Sequence, residues 1–178
     1  RCGVPLIEIV TKPDISSGAE AREFLEKLKS TLRFLDISDC KMEEGSLRCD
    51  VNVNIKNTTT GEKTAITEVK NLNSFRGVEK AVDFESKRHI DILENHKDEI
   101  KTTRRWDDSL NETVLMRVKY TANDYRFAPD GDLPPLNISD DEIEEIIKNM
   151  PELPDIMIER FVKNYGITTE DAKVLVSS

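Results

Sequence analysis

Hydrophobic and polar positions alternate without a break from Leu47 to Lys56. Leu47, Cys49, Val51, Val53 and Ile55 fall on one face, and Arg48, Asp50, Asn52, Asn54 and Lys56 on the other. That period of two predicts a strand with one buried face. Its polar face is rich in Asp and Asn, which are poor strand formers, so it reads either as a solvated face or as a row of donors and acceptors. Asn57–Glu62 follows as a hairpin loop, and Lys63–Lys70 returns as the antiparallel partner with Glu68 and Lys70 on one face.

The other predicted elements flank this pair. Val4-Pro5-Leu6-Ile7-Glu8-Ile9-Val10 is a short apolar run rich in β-branched residues and reads as a buried strand. Glu8 is its odd member. It either points to water from a half-exposed face or sits in a cleft as a metal ligand or charge partner. Ser17-Gly18-Ala19-Glu20 is a capping box. Ala21, Phe24, Leu25, Leu28, Leu32 and Leu35 then mark an amphipathic helix to about Leu35.

Asn73 or Ser74 caps a second helix running to about Glu94, whose stripe is Phe75, Val78, Val82, Glu85, His89 and Leu93. The start of that helix offers backbone N–H groups and a positive dipole end, suited to an anion or to plain capping. Arg104-Arg105-Trp106-Asp107-Asp108 reads as a phosphate or base contact, or equally as a salt-linked strand end. Thr113–Tyr120 alternates as a further strand. Asn123–Leu136 is extended by its prolines, and a domain boundary is placed at its end.

Beyond the boundary only helical patterns remain. Ser139-Asp140-Asp141-Glu142 opens one, a second runs from about Pro154 to a Gly166 cap, and Thr168 opens a third. The expected fold is α+β, with an antiparallel sheet and packed helices over 1–137, followed by the start of an all-helical domain over 138–178.

Composition narrows the picture. The 178 residues are 37% hydrophobic and 34% charged, with a net charge of −9. The charge is −6 in residues 138–178 and −3 in 1–137, so any nucleic-acid contact must use a local patch. No apolar run reaches the roughly 20 residues of a membrane span, and the first residue is Arg1 rather than Met, as in a piece of a longer protein. Cys2, Cys40 and Cys49 lack CxxC spacing, which argues against a disulfide framework or a zinc knot and for a reducing compartment.

There is no P-loop, no GxGxxG and no Ser-His-Asp set. What remains is a group of carboxylates and amides on or near neighbouring strands: Glu8, Glu43, Glu44, Asp50, Asn52, Glu68 and Asn71. Oxygen ligands of this kind suit Mg²⁺ bridged to phosphates. A non-catalytic binding module is the alternative that the pattern leaves open.

Several blocks occur together and in order. They are Gly3-Val4-Pro5-Leu6-Ile7-Glu8-Ile9-Val10, Met42–Asp50, Lys70-Asn71-Leu72-Asn73-Ser74-Phe75, Asp124–Asp130 with Asp132–Leu136, and Pro151-Glu152-Leu153-Pro154. Together they resemble the B-subunit family of the aspartyl/glutamyl-tRNA amidotransferases (GatB of GatCAB), over essentially the whole chain. The resemblance implies the C-terminal part of a cradle-type, kinase-like domain. It implies an enzyme that uses ATP and Mg²⁺ to phosphorylate the side-chain carboxylate of glutamate or aspartate misacylated on tRNA. Ammonia from a glutaminase (A) subunit then displaces the phosphate.

It also implies the A and C subunits and misacylated tRNA as partners, with no membrane and no DNA. The expected compartment is the bacterial cytoplasm or an organelle such as the mitochondrial matrix. By the same resemblance Glu8 is a metal ligand, with its His and Glu co-ligands outside this chain. Asp50 and Glu68 join it as catalytic residues, and Asn52, Lys70, Asn71, Asn73, Ser74 and Phe75 face the nucleotide. Glu43, Glu44 and Arg48 are further candidates. The chain alone is expected to be inactive, and a tRNA-docking or assembly module is the competing reading.

Overall fold

A computed structural model describes residues 5–97, 99–118, 132 and 134–177. Two helices and four strands come first: α1 (Gly18–Phe34), β1 (Cys49–Val53), β2 (Thr67–Leu72), α2 (Phe75–Glu94), β3 (Thr102–Asp107) and β4 (Glu112–Val118). Three helices follow: α3 (Asp140–Asn149), α4 (Pro154–Tyr165) and α5 (Thr169–Ser177). The chain divides into two compact units. One holds the segment up to Glu26 and that from Met42 through β4; the other holds Lys27–Lys41 and the helices from α3 onward.

The sheet has the order β1-β2-β3-β4. The α+β class stands as expected, but the sheet is mixed rather than antiparallel. β1 with β2 and β3 with β4 are antiparallel, while β2 and β3 run parallel, with Lys70 opposite Arg105. The reason is the connection. β2 leads into α2, and a strand reached through a helical crossover lies parallel to the strand that launched it.

The expected alternation holds in β1, where Val53 is buried while Asp50 and Asn52 are exposed. In β2, Thr67, Val69 and Leu72 are buried. On the covered side Val69, Leu72, Val78, Ala81, Val82 and Trp106 form the core with Ala21 and Leu25 of α1. Trp106 is 1% exposed, and its ring meets Phe84 edge-on at 6.4 Å. Trp106 is therefore a core residue, and the phosphate-or-base reading of the stretch around it gives way to the strand reading.

Helix ends follow the sequence closely. Ser74 caps α2, its Oγ accepting from the Gly77 N–H at 2.9 Å. Ser139 and Glu142 form the reciprocal box of α3, and Gly166 ends α4 at φ 65°, a left-handed conformation that glycine adopts without penalty. In the second unit α4 packs on α5, where Ala172 is fully buried, and Lys27 pairs with Asp155 at 2.5 Å.

The expected strand at Val4–Val10 is not formed. Residues 5–10 have no regular structure, and Leu6, Ile7, Ile9 and Val10 are 52–91% exposed. An apolar run becomes a strand only where another strand offers it a hydrogen-bonding edge, and among the described residues none pairs with it. Val4, most of Asn123–Leu136 and the end of the strand expected over Thr113–Tyr120 lie outside the described residues.

Candidate functional site

The loop before β1 and the end of β2 together shape an open hollow of about 340 Å³. It is lined by Met42–Gly45, Leu47–Asp50 and Asn71–Asn73. The turn at its edge depends on Gly45, which sits at φ 76° and donates its N–H to Met42 O at 3.1 Å. Six of the candidate residues thus meet in one concavity: Glu43, Glu44, Arg48, Asp50, Asn71 and Asn73.

Asn71 owes its place to backbone geometry. It lies near the end of β2 at φ 62°, and its Nδ2 donates to Trp106 O on β3 at 3.2 Å. Asn tolerates the left-handed region better than most residues, so β2 stops here and the chain turns into α2. This explains an amide between a strand and a capped helix without appeal to ligand.

Next to the hollow, on the sheet face away from α2, lies a charge relay. Lys70 Nζ is 2.5 Å from Asp50 Oδ2 and 3.3 Å from Glu68 Oε1. Thr103 donates to the other Glu68 oxygen at 2.9 Å. The hydrogen bond to Asp50 raises the Lys70 pKa above its ordinary value. Asn52 pairs with Glu68 in the strand register and points the same way. Ser74 is used as the α2 cap, and Phe75 packs half-buried against the core. Glu8 is exposed and is not among the residues lining the hollow; its expected setting in a buried strand is corrected as above.

Arg48 and Lys70 with the amides of Asn71 and Asn73 suit an anionic group such as a polyphosphate. A complete metal cage is a different matter. Among the described residues no group of three or more His, Cys, Asp or Glu side chains is placed to hold an ion. The residues present therefore do not by themselves fit a Mg²⁺ site, and no step is routed through one.

A second cluster is one that the sequence reading did not single out. Glu85 and His89 of α2 are fully buried among polar partners. Glu85 meets Arg88 at 2.8 Å, Arg104 at 3.3 Å and the hydroxyl of Thr113. His89 contacts Thr64 at 2.6 Å and Thr67 at 3.0 Å. Burial pushes the Glu85 carboxyl up, but hydrogen bonds from His89, Arg88 and Thr113 outweigh it and hold the pKa at about 2. The available signal was the i, i+4 placement of an acid and a His within an apolar stripe.

A mixed sheet with one helix-covered face, and an open hollow lined by acids, amides and an arginine at the strand ends, defines a compact α+β domain. The family model "GatB/GatE catalytic domain" matches residues 1–144, and the chain belongs to this family. It is 53% identical over 178 residues to the B subunit of aspartyl/glutamyl-tRNA(Asn/Gln) amidotransferase from Caldicellulosiruptor saccharolyticus, covering all of this chain and 37% of that protein. It is 54% identical over 175 residues to a B subunit of the same amidotransferase in Clostridium acetobutylicum, covering 98% of this chain and 37% of that protein. The Thermotoga maritima B subunit is 51% identical over 178 residues, with 100% and 37% covered. The chain thus spans little more than a third of the length of these relatives. No helix among the described residues is long and apolar enough to cross a membrane.

Proposed function

We propose that the chain is the nucleotide-using part of a B subunit of a tRNA-dependent amidotransferase. The observation that carries this is the gathering of Glu43, Glu44, Arg48, Asp50, Asn71 and Asn73 around one hollow, beside the Lys70 relay. Those residues come from separate sequence blocks, and the relatives' names supply the reaction class.

In this reading Arg48, Lys70 and the two amides hold the phosphates of ATP. A side-chain carboxylate oxygen of the misacylated glutamate or aspartate attacks the γ-phosphorus, and ADP leaves with the bridging oxygen. Ammonia then attacks the acyl carbon and inorganic phosphate departs, leaving the amide. A carboxylate is a poor acyl donor, and phosphorylation gives it a leaving group. The residues of this chain act by positioning and charge, without a protein nucleophile. Glu8 would be the one Mg²⁺ ligand contributed by this chain, with its co-ligands outside it, and the ion would supply charge neutralisation at the phosphates.

The glutaminase and C subunits and misacylated tRNA are the partners, and the cytoplasm or an organelle matrix is the compartment. The chain alone is inactive. The exposure of Glu8 favours the second reading, an assembly or tRNA-docking module. One experiment separates the two. In the complete heterotrimer, Glu8→Ala and Asp50→Ala each abolish ATP-dependent amidation while glutaminase activity stays measurable. Normal amidation by both variants would leave only the docking role.

A further inference from the structure

A row of directly opposed residues, one from each strand, crosses the sheet face away from α2: Asn52 on β1, Glu68 on β2, Thr103 on β3 and Arg117 on β4. Its last member is there because of an irregularity. Thr103 pairs with Arg117 but Arg104 pairs with Leu115, so Met116 is left over between the two pairs. In plain alternation Arg117 would share the side of Leu115 and of Thr113, whose hydroxyl meets Glu85 of α2. The bulge turns Arg117 to the opposite side, where its Nε donates to Thr103 Oγ1 at 3.5 Å.

Thr103 is the pivot of that row. It is 1% exposed, and its hydroxyl has a single hydrogen to give. That hydrogen goes to Glu68 Oε2 at 2.9 Å, while the hydroxyl oxygen accepts from Arg117. The other Glu68 oxygen faces Lys70 Nζ at 3.3 Å, and the same Nζ lies 2.5 Å from Asp50 at the wall of the hollow. Without the Thr103 donor, Glu68 Oε2 is left to turn to the Lys70 ammonium and draw it off Asp50. Strand propensity accounts for a threonine at this position, but not for a bulge that completes the row behind it.

We propose that Thr103 is a positioning residue, whose buried hydroxyl holds Glu68 so that Lys70 stays on Asp50 at the candidate nucleotide site. This role rests on the ATP-using reading above, since only there do Lys70 and Asp50 matter to amidation.

The test is steady-state amidation with ATP varied, in the complete heterotrimer carrying Thr103→Val or Thr103→Ser, with glutaminase activity as the check on assembly. Valine keeps the volume and the branched Cβ and loses the hydroxyl; serine keeps the hydroxyl and loses the branch. Thr103→Val should raise the KM for ATP about tenfold, the scale of one hydrogen bond to a charged group, and Thr103→Ser should keep the KM of the unsubstituted complex. A role in sheet packing alone gives the opposite order, because valine is the better strand former. An unchanged KM in Thr103→Val, an equal rise in both variants, or a complex that fails to assemble with Thr103→Val overturns the positioning role. Normal amidation by Glu8→Ala and Asp50→Ala overturns the ATP-using reading itself, whereas an inactive Asp50→Ala beside an unaffected Thr103→Val removes only the role of Thr103.

Discussion

Lys70 reaches across the β1–β2 pair to place its Nζ 2.5 Å from Asp50 Oδ2. One ammonium thereby fixes two acids, because Glu68 lies at 3.3 Å on its other side. The pair is a third to a half exposed, so its worth in stability is small. Its consequence lies in aim, since Asp50 is held at the wall of the hollow.

Removing that ammonium should therefore change function more than folding. In the complete heterotrimer, Lys70→Met should raise the KM for ATP about tenfold or more, the scale of one lost charged contact, while the Tm stays nearly unchanged. The raised pKa of Lys70 keeps it charged through the neutral range, and the Asp50 contact is lost only as pH rises through that raised value. Steady-state kinetics with ATP varied would check this, and an unchanged KM would reduce the relay to a surface ion pair.

Glu85 should carry a measurable acid sensitivity. Its folded pKa of about 2 lies below the ordinary carboxyl value of 4.5. A depressed carboxyl stabilises the fold fully above 4.5, and that contribution is lost as pH falls toward 2. The difference corresponds to about 3 kcal/mol. Glu85→Gln also leaves the half-buried Arg88 and Arg104 without their shared anion, for which breaking a buried pair costs about 3–5 kcal/mol. Urea unfolding at neutral pH should show a loss of that order. The gap between the variant and the unsubstituted chain should narrow steadily as the pH is taken below 4.5.

Gly18 offers a test of packing against propensity. Alanine is the better helix former by about 1 kcal/mol. At this position, however, a Cβ would lie 2.4 Å from Glu79 O and 2.5 Å from Asp83 Oδ1. The first of these is backbone and cannot turn aside, so overpacking of about 1–3 kcal/mol dominates. Gly18→Ala should lower the Tm by several degrees in a thermal melt; a rise would show that α1 shifts freely from α2.

Trp106 should behave as an anchor rather than a ligand contact. Its ring is almost fully buried and its Nε1 donates to Asp108 at 2.8 Å. Trp106→Ala should cost about 3–5 kcal/mol, and Trp106→Phe less, since Phe keeps the contact with Phe84. Denaturant midpoints of the two variants would rank them.

The parts of this fold that were legible in the sequence are those set by neighbours along the chain. Ser74, the Ser139–Glu142 box and Gly166 specify helix ends within a few residues, and the alternation of Cys49–Val53 specifies a face. What was not legible depends on partners far away. Nothing local tells that Arg104 turns inward to Glu85 while Arg105 turns outward, because that choice follows from the sheet register. The parallel β2–β3 pairing was missed because the period of two says which face is buried and is silent on strand direction. The run from Pro5 to Val10 has strand composition, but composition supplies no edge to pair with. Of the site, the blocks around Asp50 and Asn73 were legible as clustered acids and amides. Their meeting in one hollow depends on Asn71, whose left-handed turn no alternation pattern reveals.

The parallel neighbours β2 and β3 also constrain how quickly the chain can reach this shape. The two antiparallel pairs have local partners, so each can zip early. Their union must await α2, because 29 residues separate Leu72 from Thr102 and closing that excursion is entropically uphill until the helix docks. Substitutions in the α2 stripe, such as Val78→Ala, should therefore slow refolding, whereas substitutions at the outer rim of β4 should chiefly hasten unfolding.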